Sequence, residues 1–267
     1  MISLPRLTRP LLVGALLLCC SAASAAAASA TGRSAFSHLQ LGVIDLAPGD
    51  SQAAYYTLLS TDITLSTDVS GDAIGGLQST AHLTGGTPRT VTSHYAGAAT
   101  SASTSGALND IDIRGSLSED SPIRYANASG TVLYRVSLSP RSALTLGGHV
   151  LTFDSRGTDH GSYLYGWARA RAFIYGTDAP PYPHPLLEQY SSRWSGNGPE
   201  IKDRDFVVAL ANFSDSPQDL FVRVDSTIYY ENGLPVPEPH SYALLLAGLM
   251  AAPLLRRRLH SKSQGTL

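Results

Sequence analysis

The chain has 267 residues, only 15% of them are charged, and the formal net charge is −2. Six of the 19 basic residues but only one of the 21 acidic residues lie in the two terminal segments, which leaves 13 basic and 20 acidic residues and a formal charge of −7 for the body between them. An acidic body lacks the basic face with which nucleic-acid-binding proteins displace counterions from phosphate, so we expect no nucleic-acid partner.

The N-terminal segment has the layout of a secretory signal peptide, with a positive start, an apolar stretch and a small-residue end. Two arginines precede the apolar residues 11–20, and small residues continue to Ala30. This stretch forms about 15 Å of helix, too little for a hydrocarbon core of roughly 30 Å. Cleavage sites of the A-x-A type end at Ala25 and at Ala30. We favour Ala25 because it lies closer to the apolar stretch, so residues 1–25 are the predicted signal peptide, recognised by the Sec translocon.

Both cysteines of the chain, Cys19 and Cys20, lie inside that apolar stretch. Lipid modification of either is the weaker alternative, because Leu18 rather than a small residue precedes Cys19. Removal of the signal peptide leaves a mature protein without a thiol. Such a protein has no disulfide, no zinc–thiolate site and no cysteine nucleophile.

The body, residues 36–231, shows the period-two alternation of β-strands. The predicted strands are Leu39–Leu46, Ala54–Leu59, Thr131–Leu138, Ala143–Phe153 with a break at Gly147 and Gly148, Tyr163–Tyr175, Phe206–Phe213 and Leu220–Tyr229. Residues 60–130 are rich in Ser, Thr, Gly and Ala and predict weaker edge strands and long loops, with a partly mobile segment as the alternative. Residues 182–198 predict an ordered surface loop.

Turn residues separate these strands. Residues 139–142, which contain Ser-Pro, predict a turn, and residues 214–217 predict a hairpin-like turn between the last two strands. Many strands joined by turns, without a helical pattern, predict an all-β fold, an antiparallel β-sandwich with a jelly-roll-like strand order.

The strand predicted for Tyr163–Tyr175 has a small apolar face and a large face. The large face carries Tyr163, Tyr165, Trp167, Arg169, Arg171, Phe173 and Tyr175. If the small face is buried, the large face meets solvent, where flat rings can stack on sugar rings, and Tyr163, Tyr165 and Trp167 form a candidate glycan platform. In the alternative, these three rings pack in the core or across strands, and the arginines lie at the sheet edge because burying them unpaired is costly.

No motif for catalysis or cofactor binding occurs in the sequence, since G-x-S-x-G, H-E-x-x-H and the P-loop are all missing. We therefore predict no catalytic residues, no metal and no cofactor. His160 beside Asp159 and near Asp154 would suit a metal or acid–base site, but a solvated polar turn is favoured. Residues 109–115 begin like a calcium loop, but Arg114 stands where a third oxygen ligand belongs.

The C-terminal segment has three parts. A proline-rich linker, residues 232–241, cannot continue a strand or a helix. The apolar run Tyr242–Leu255 would form about 21 Å of helix, which is short for a permanent anchor. Three arginines follow, and arginines beside an apolar helix favour the cytoplasmic side. We predict a membrane helix with its arginine cluster over residues 242–258 and a cytoplasmic tail over residues 259–267.

The motif residues in this segment are Pro237, Glu238, Pro239, Arg256, Arg257 and Arg258. Their order, with the apolar helix between them, resembles the PEP-CTERM sorting signal, from which the segment departs at Pro253 and in the residues after the arginines. The resemblance implies recognition by exosortase, a membrane cysteine protease-transpeptidase, and removal of the tail near Pro-Glu-Pro. It also implies a Gram-negative host that makes exopolysaccharide. The alternative is an ordinary tail anchor that stays in place.

Both targeting segments place the body outside the inner membrane. We expect an inner-membrane intermediate and then an outer-envelope or extracellular-matrix protein. Three functions compete for the body. The first is a non-catalytic structural or interaction component of a biofilm or exopolysaccharide matrix, the second is a carbohydrate-binding module for the cell's own exopolysaccharide, and the third is a matrix-polymer hydrolase. The missing catalytic motifs argue against the third.

Overall fold

The structure is a computed structural model that describes residues 29–71, 75–84, 87–106, 110–156, 164–177, 183–192 and 199–233. The described residues contain twelve strands and no helix. The strands are β1 (Ser29–Asp45), β2 (Tyr56–Ser70), β3 (Leu77–Thr84), β4 (Arg89–Tyr95), β5 (Ala98–Thr104), β6 (Ile111–Ser118), β7 (Tyr125–Leu138), β8 (Ser142–Arg156), β9 (Leu164–Gly176), β10 (Leu187–Ser191), β11 (Glu200–Asn212) and β12 (Gln218–Asn232).

The strands form two antiparallel sheets of six strands each. The first sheet has the order β11-β8-β1-β6-β5-β4, and the second has the order β10-β9-β12-β7-β2-β3. All strand pairs are antiparallel, and the sheets pack face to face around one hydrophobic cluster. The predicted all-β, sandwich-like arrangement of antiparallel sheets is therefore confirmed for the described residues.

The core lies between the inward faces of the two sheets, as the alternating burial of β7 and β12 shows. Large side chains fill most of it, among them Phe36, Leu65, Ile113, Leu144 and Tyr230. The strand β9 differs, because between Leu164 and Ile174 at its ends the residues that it turns inward are small. These residues are Gly166, Ala168, Ala170 and Ala172. Small inward residues let the neighbouring elements approach β9 closely, and they leave its large side chains on the outer face.

Hydrogen bonds between buried hydroxyl groups join the two sheets. A buried hydroxyl without a partner costs free energy, so a core that contains Ser and Thr must pair them. In the described residues three such pairs cross the core, with oxygen–oxygen distances of 2.6, 2.9 and 2.8 Å: Ser34–Ser226, Thr67–Ser93 and Thr152–Ser191. Part of the Ser and Thr content of the chain therefore belongs to the core and not to loops.

The predicted hairpin-like turn at residues 214–217 is wrong. The strand before it, β11, pairs with β8 in the first sheet, whereas β12 lies between β7 and β9 in the second sheet. The link thus crosses the edge of the sandwich. The side chain of Asn212 holds it there, because Nδ2 donates to the backbone oxygens of Ser139 at 3.1 Å and Ser216 at 2.9 Å.

Residues 60–130, predicted as weaker edge strands and long loops, and residues 182–198, predicted as a surface loop, both contain regular strands. Within residues 60–130 the chain completes β2 and forms β3, β4, β5 and β6, and β5 lies inside the first sheet between β4 and β6. Its inward residues are small or hydroxylated, namely Ala98, Thr100, Ala102 and Thr104. Such residues give a weak hydropathy alternation, which explains why no individual strand could be predicted within residues 60–130. Within residues 182–198, β10 joins the edge of the second sheet.

The glycine pair at 147 and 148 does not break β8. The opposite strand β1 has a bulge between Ser37 and Gln40, and within it His38 has a φ of 54°. The bulge brings Leu39 against β8, and a Cβ at Gly148 would lie 3.1 Å from the Leu39 side chain. At the predicted interruption β8 is therefore continuous, and the extra residue of the bulge belongs to the neighbouring strand β1.

Both ends of the described body lie at the same end of the sandwich. Ser29 at the start of β1 pairs with Ser118 of β6. At the end of β12, Asn232 donates a side-chain hydrogen bond of 2.9 Å to the backbone oxygen of Glu119, next to that residue. The first and last strands of the described body therefore begin and end on one side of the molecule.

Candidate functional site

The outer face of β9 carries the large side chains that the sequence singled out. Tyr165, Trp167 and Arg169 point away from the core, because the intervening Gly166 and Ala168 are the buried residues. Pairing with β12 sets Trp167 beside Tyr229, and pairing with β10 sets Arg169 beside Tyr190. The large face of this strand is thus part of a broader surface.

Five aromatic rings form one continuous group on this surface, which we call the aromatic patch: Tyr125, Tyr165, Trp167, Tyr190 and Tyr229. Tyr229 is central, with its ring centroid 5.9 Å from that of Trp167 at an interplanar angle of 24°. Tyr125 and Tyr165 lie 6.2 and 6.3 Å from Tyr229, and Tyr190 lies 6.0 Å from Trp167. The patch spans β7, β12, β9 and β10, which at the usual strand spacing is about 14 Å.

Cations lie against the rings of the patch. The guanidinium carbon of Arg169 is 4.8 Å from the centroid of the Trp167 ring, and that of Arg124 is 5.2 Å from the Tyr125 ring. These distances are within the range of cation–π attraction. Each contact fixes a long side chain beside a ring, so the patch combines flat apolar surface with hydrogen-bond donors.

Two phenol groups of the patch, those of Tyr229 and Tyr165, have raised pKa values. Burial, followed by the hydrogen bond to Glu231, raises the pKa of Tyr229, whose hydroxyl donates to Glu231 Oε2 at 2.8 Å. Burial and the neighbouring Tyr190 likewise raise the pKa of Tyr165. Neutral tyrosines can stack and hydrogen bond without adding negative charge to the surface.

An arginine cluster lies next to the patch on the same outer face, around the buried carboxylate of Asp225. Arg171 Nη2 is 3.2 Å from Asp225 Oδ2, and Arg223 Nε is 2.8 Å from Oδ1. Thr131 also donates to Oδ1, at 3.0 Å. Burial and the nearby charge of Arg169 lower the pKa of Arg171. The carboxylate of Asp225 thus pairs with two arginines, Arg171 and Arg223, and a third arginine, Arg169, lies beside them.

Buried polar contacts fix the start of β9 from inside the sandwich. Tyr230 of β12 donates to Asp154 Oδ1 at 2.8 Å. Arg156 approaches Asp154 Oδ2 at 3.3 Å and donates to the backbone oxygens of Leu164 and Gly166. The contacts hold the backbone on both sides of Tyr165, and therefore set the position of the patch.

Several residues singled out in the sequence lie elsewhere or outside the described residues. Outside the described residues lie Ala25, Tyr163, His160 and the sorting-signal residues Pro237, Glu238, Pro239, Arg256, Arg257 and Arg258. Ala30 is buried in β1 between β6 and β8. The stretch resembling a calcium loop is strand β6 from Ile111 onward. There the carboxylate of Asp112 pairs with Arg33 at 2.8 Å and with Arg114 at 2.6 Å. Burial by itself would raise the pKa of Asp112, but the hydrogen bonds from the two arginines outweigh burial and lower this pKa.

Sequence reasoning missed three residues of the patch, Tyr125, Tyr190 and Tyr229. The alternation of β12, with Ile228 inward, was enough to place Tyr229 on the outer face. The pairing of β12 with β7 and β9 has no comparable signal in the sequence, and β10 was predicted as a loop.

Within the described ranges, no group of three or more His, Cys, Asp or Glu side chains is arranged to hold a metal ion. The nearest arrangement is His149 between Asp203 and Asp205, where the imidazole itself bridges the two carboxylates. The part of the chain that the structure describes also has no helix of the length and apolar character needed to cross a membrane. The predicted tail helix lies outside that part.

The chain matches no protein-family model, no curated protein and no solved structure.

Proposed function

We propose that this chain is exported through the Sec translocon, held transiently in the inner membrane and processed by exosortase, and that it then acts as a non-catalytic structural or interaction component of an exopolysaccharide or biofilm matrix. The observation that carries this is the C-terminal order of Pro-Glu-Pro motif, short apolar run and three arginines. The position of both ends of the described body at one end of the sandwich supports it, because segments at both ends could then reach the same membrane while the rest of the body extends away from it.

The sorting step is tested by the C-terminus of the mature protein. Mass spectrometry should find a new C-terminus near Pro237 to Pro239, and only in cells that contain exosortase. Glu238→Ala should leave unprocessed protein in the inner membrane. Asp50→Asn, an acidic-to-neutral change in an exposed turn of the body, is the matched control and should be processed normally. A mature protein that keeps residues 240–267 would show an ordinary tail anchor instead.

A second function, carbohydrate binding, is favoured by the aromatic patch. A ring surface about 14 Å across is large enough to stack on more than one sugar ring. Its centre is the near-parallel pair Trp167 and Tyr229, and Tyr190 at its margin is 40% exposed. The apolar faces of sugar rings can cover such rings while the sugar hydroxyls meet the phenols and arginines at the rim.

The binding function is tested with Trp167→Ala. Affinity electrophoresis of the mature protein through gels containing the host's polysaccharides should show retardation that the variant loses, with affinity reduced about tenfold or more. Tyr175→Ala is the control, because Tyr175 lies on the same strand and pairs with Phe221, outside the patch. Flat binding curves of the wild-type protein against all host polysaccharides would remove this function.

We also propose a jelly-roll-like classification for the sandwich. Its support is that the successive strands β6, β7, β8 and β9 alternate between the two sheets. The position of β1 between β8 and β6 differs from an eight-stranded jelly roll, in which the first and last strands are neighbours. The likeness therefore concerns the alternation between sheets and not the order within each sheet.

A further inference from the structure

We propose that the outer face of the second sheet binds a polysaccharide that carries carboxylate groups, with Trp167 stacking on a sugar ring and Arg169 pairing with a carboxylate. This inference rests on the proposed carbohydrate-binding function and names the chemical class of its ligand.

The first support is the charge balance beside the aromatic patch. Arg169, Arg171 and Arg223 lie on adjacent strands of one outer face, and Asp225 is the carboxylate among them, with side-chain exposure of 5%. Arg171 and Arg223 both bind Asp225, while Arg169 has no ion pair among the described residues. Glu188 lies opposite Arg171 on the edge strand β10 and is exposed to solvent. The cluster therefore has an excess of positive charge that an anion can neutralise.

The second support is that two of these guanidinium groups have unused donors. The Nε atoms of Arg169 and Arg171 are buried and have no hydrogen-bond partner. These Nε atoms have no solvent-exposed surface, so a ligand on the outer face would meet the terminal Nη donors of the guanidinium groups, and of these Arg169 is the one without an ion pair among the described residues. Guanidinium groups present their donors as a planar fork that matches a carboxylate.

The third support is the position of Arg169. Its guanidinium lies 4.8 Å from the centre of the Trp167 ring, and the strand register pairs Arg169 with Tyr190 of β10, whose ring is 6.0 Å from that of Trp167. A sugar ring stacked on Trp167 or Tyr190 would hold a ring carboxylate within reach of the same guanidinium. A neutral sugar would fill the stacking surface but leave the arginine without its anion.

A nucleic acid would also present anions and flat rings, but the charge of this molecule favours the polysaccharide. Duplex DNA carries one charge per about 1.7 Å and binds to extended basic surfaces. The body here has a formal charge of −7, and its excess cations are confined to one small cluster. A polymer with one carboxylate on each sugar presents sparser charges that such a cluster can pair.

The test compares polygalacturonate with its fully methyl-esterified form, which has the same backbone without the charge. The protein is expressed from the full-length gene and purified in its mature, exported form, and binding is measured by calorimetry. We expect binding to polygalacturonate that weakens with added salt. Arg169→Gln should weaken it about tenfold, and Arg169→Lys should recover part of the loss.

Arg135→Gln is the matched control, since Arg135 lies on the outer face of the same sheet but is paired with Asp219 at 2.8 Å. Near-ultraviolet circular dichroism checks that each variant keeps the fold. Equal binding of both polymers, unchanged in Arg169→Gln but lost in Trp167→Ala, would overturn the carboxylate inference and leave carbohydrate binding intact. Equal weakening by Arg135→Gln, or tighter binding of single-stranded DNA, would also overturn it. Binding of neither polymer nor any host polysaccharide would remove both.

Discussion

Tyr230 shows at the scale of single residues how the core of the sandwich sets the position of the candidate site. Its ring is fully buried, and its hydroxyl reaches across to Asp154 of the other sheet. The ring lies against Gly166, where a Cβ would be 2.1 Å from Tyr230 Cδ1 and 2.6 Å from the backbone oxygen of Tyr229. Because one of these neighbours is backbone, the strands β9 and β12 would have to separate to accept a side chain. The absence of a side chain at 166 therefore sets the spacing of Trp167 and Tyr229.

Gly166→Ala should accordingly destabilise the protein by about 1–3 kcal/mol, the usual cost of adding a methyl group to a packed core. It should also weaken any ligand that the aromatic patch binds. Urea unfolding followed by fluorescence measures the first effect. Gly49→Ala, in a turn where a Cβ would have no neighbour within 4 Å, should leave the free energy of unfolding nearly unchanged. Equal stability of the two variants would contradict the close packing of β9 against β12.

At the scale of strands, β11 illustrates how a sheet edge is protected. Among the described strands it pairs only with β8, and its first half carries charges that discourage pairing with another chain, namely Lys202, Asp203, Arg204 and Asp205. His149 of β8 lies between Asp203 and Asp205. The hydrogen bond to Asp205, together with the charge of Asp203, outweighs partial burial and raises the pKa of His149 above its ordinary value of 6.5.

This raised pKa predicts a pH-dependent contribution to stability. Because the folded protein holds the proton more tightly than the unfolded chain, the contribution is complete below about pH 6.5 and is lost as pH rises through the folded pKa. His149→Gln should cost about 0.2–1 kcal/mol at low pH, a small value because the pair is exposed to solvent. That cost should disappear in mildly alkaline solution. Urea unfolding over a pH series measures it.

His82→Gln is the control for this pH series, since His82 lies on β3 and contacts the hydroxyl of Thr64 at 3.1 Å. This variant removes a contact to a hydroxyl and not the two aspartate contacts, so it measures what the loss of an exposed imidazole costs by itself. A cost of His149→Gln that stays constant across the series would show that the imidazolium contributes nothing through the two aspartates.

The strands also show which elements a sequence can predict. Residues 131–138 and 220–229 were predicted as strands, and they lie within β7 and β12, where large apolar residues alternate with polar ones. β5 was not predicted as an individual strand, because Ala and Thr fill its inward positions and give only a weak hydropathy alternation. β10 was missed because the prolines around it indicated a loop. Strand prediction thus follows the size of the buried side chains.

The whole molecule places constraints on the processing of the N-terminus. β1 begins at Ser29, and Ala30 is fully buried between Leu117 of β6 and Arg156 of β8. Cleavage after Ala30 would remove this packed residue and its backbone pairing, whereas cleavage after Ala25 leaves β1 complete. The fold therefore supports the first of the two candidate cleavage sites.

We expect the mature protein to begin at Ala26, which N-terminal sequencing of the exported form measures. Ala25→Tyr places a large residue at the cleavage position and should block cleavage there, because signal peptidase sites need small residues. Ala27→Ser, which keeps a small residue beyond the site, is the control and should be cleaved at the same position. A mature N-terminus at Thr31 would contradict this prediction.

The sequence by itself determined the features that depend on neighbouring residues in the chain. These are the all-β class and the division of β9 into a small and a large face, since side chains of a strand alternate by local geometry alone. It placed Tyr165 and Trp167 on one face, but it left open whether that face is buried.

Only the tertiary structure decided which strands are neighbours. Tyr125, Tyr190 and Tyr229 join Trp167 because β7, β12, β9 and β10 lie side by side, although β7 and β12 are far from β9 in the chain. The same holds for the arginine cluster around Asp225 and for the hydroxyl pairs across the core. Strand order is set by burying all inward faces and pairing all buried polar groups at once, a condition on the entire chain that no local pattern contains.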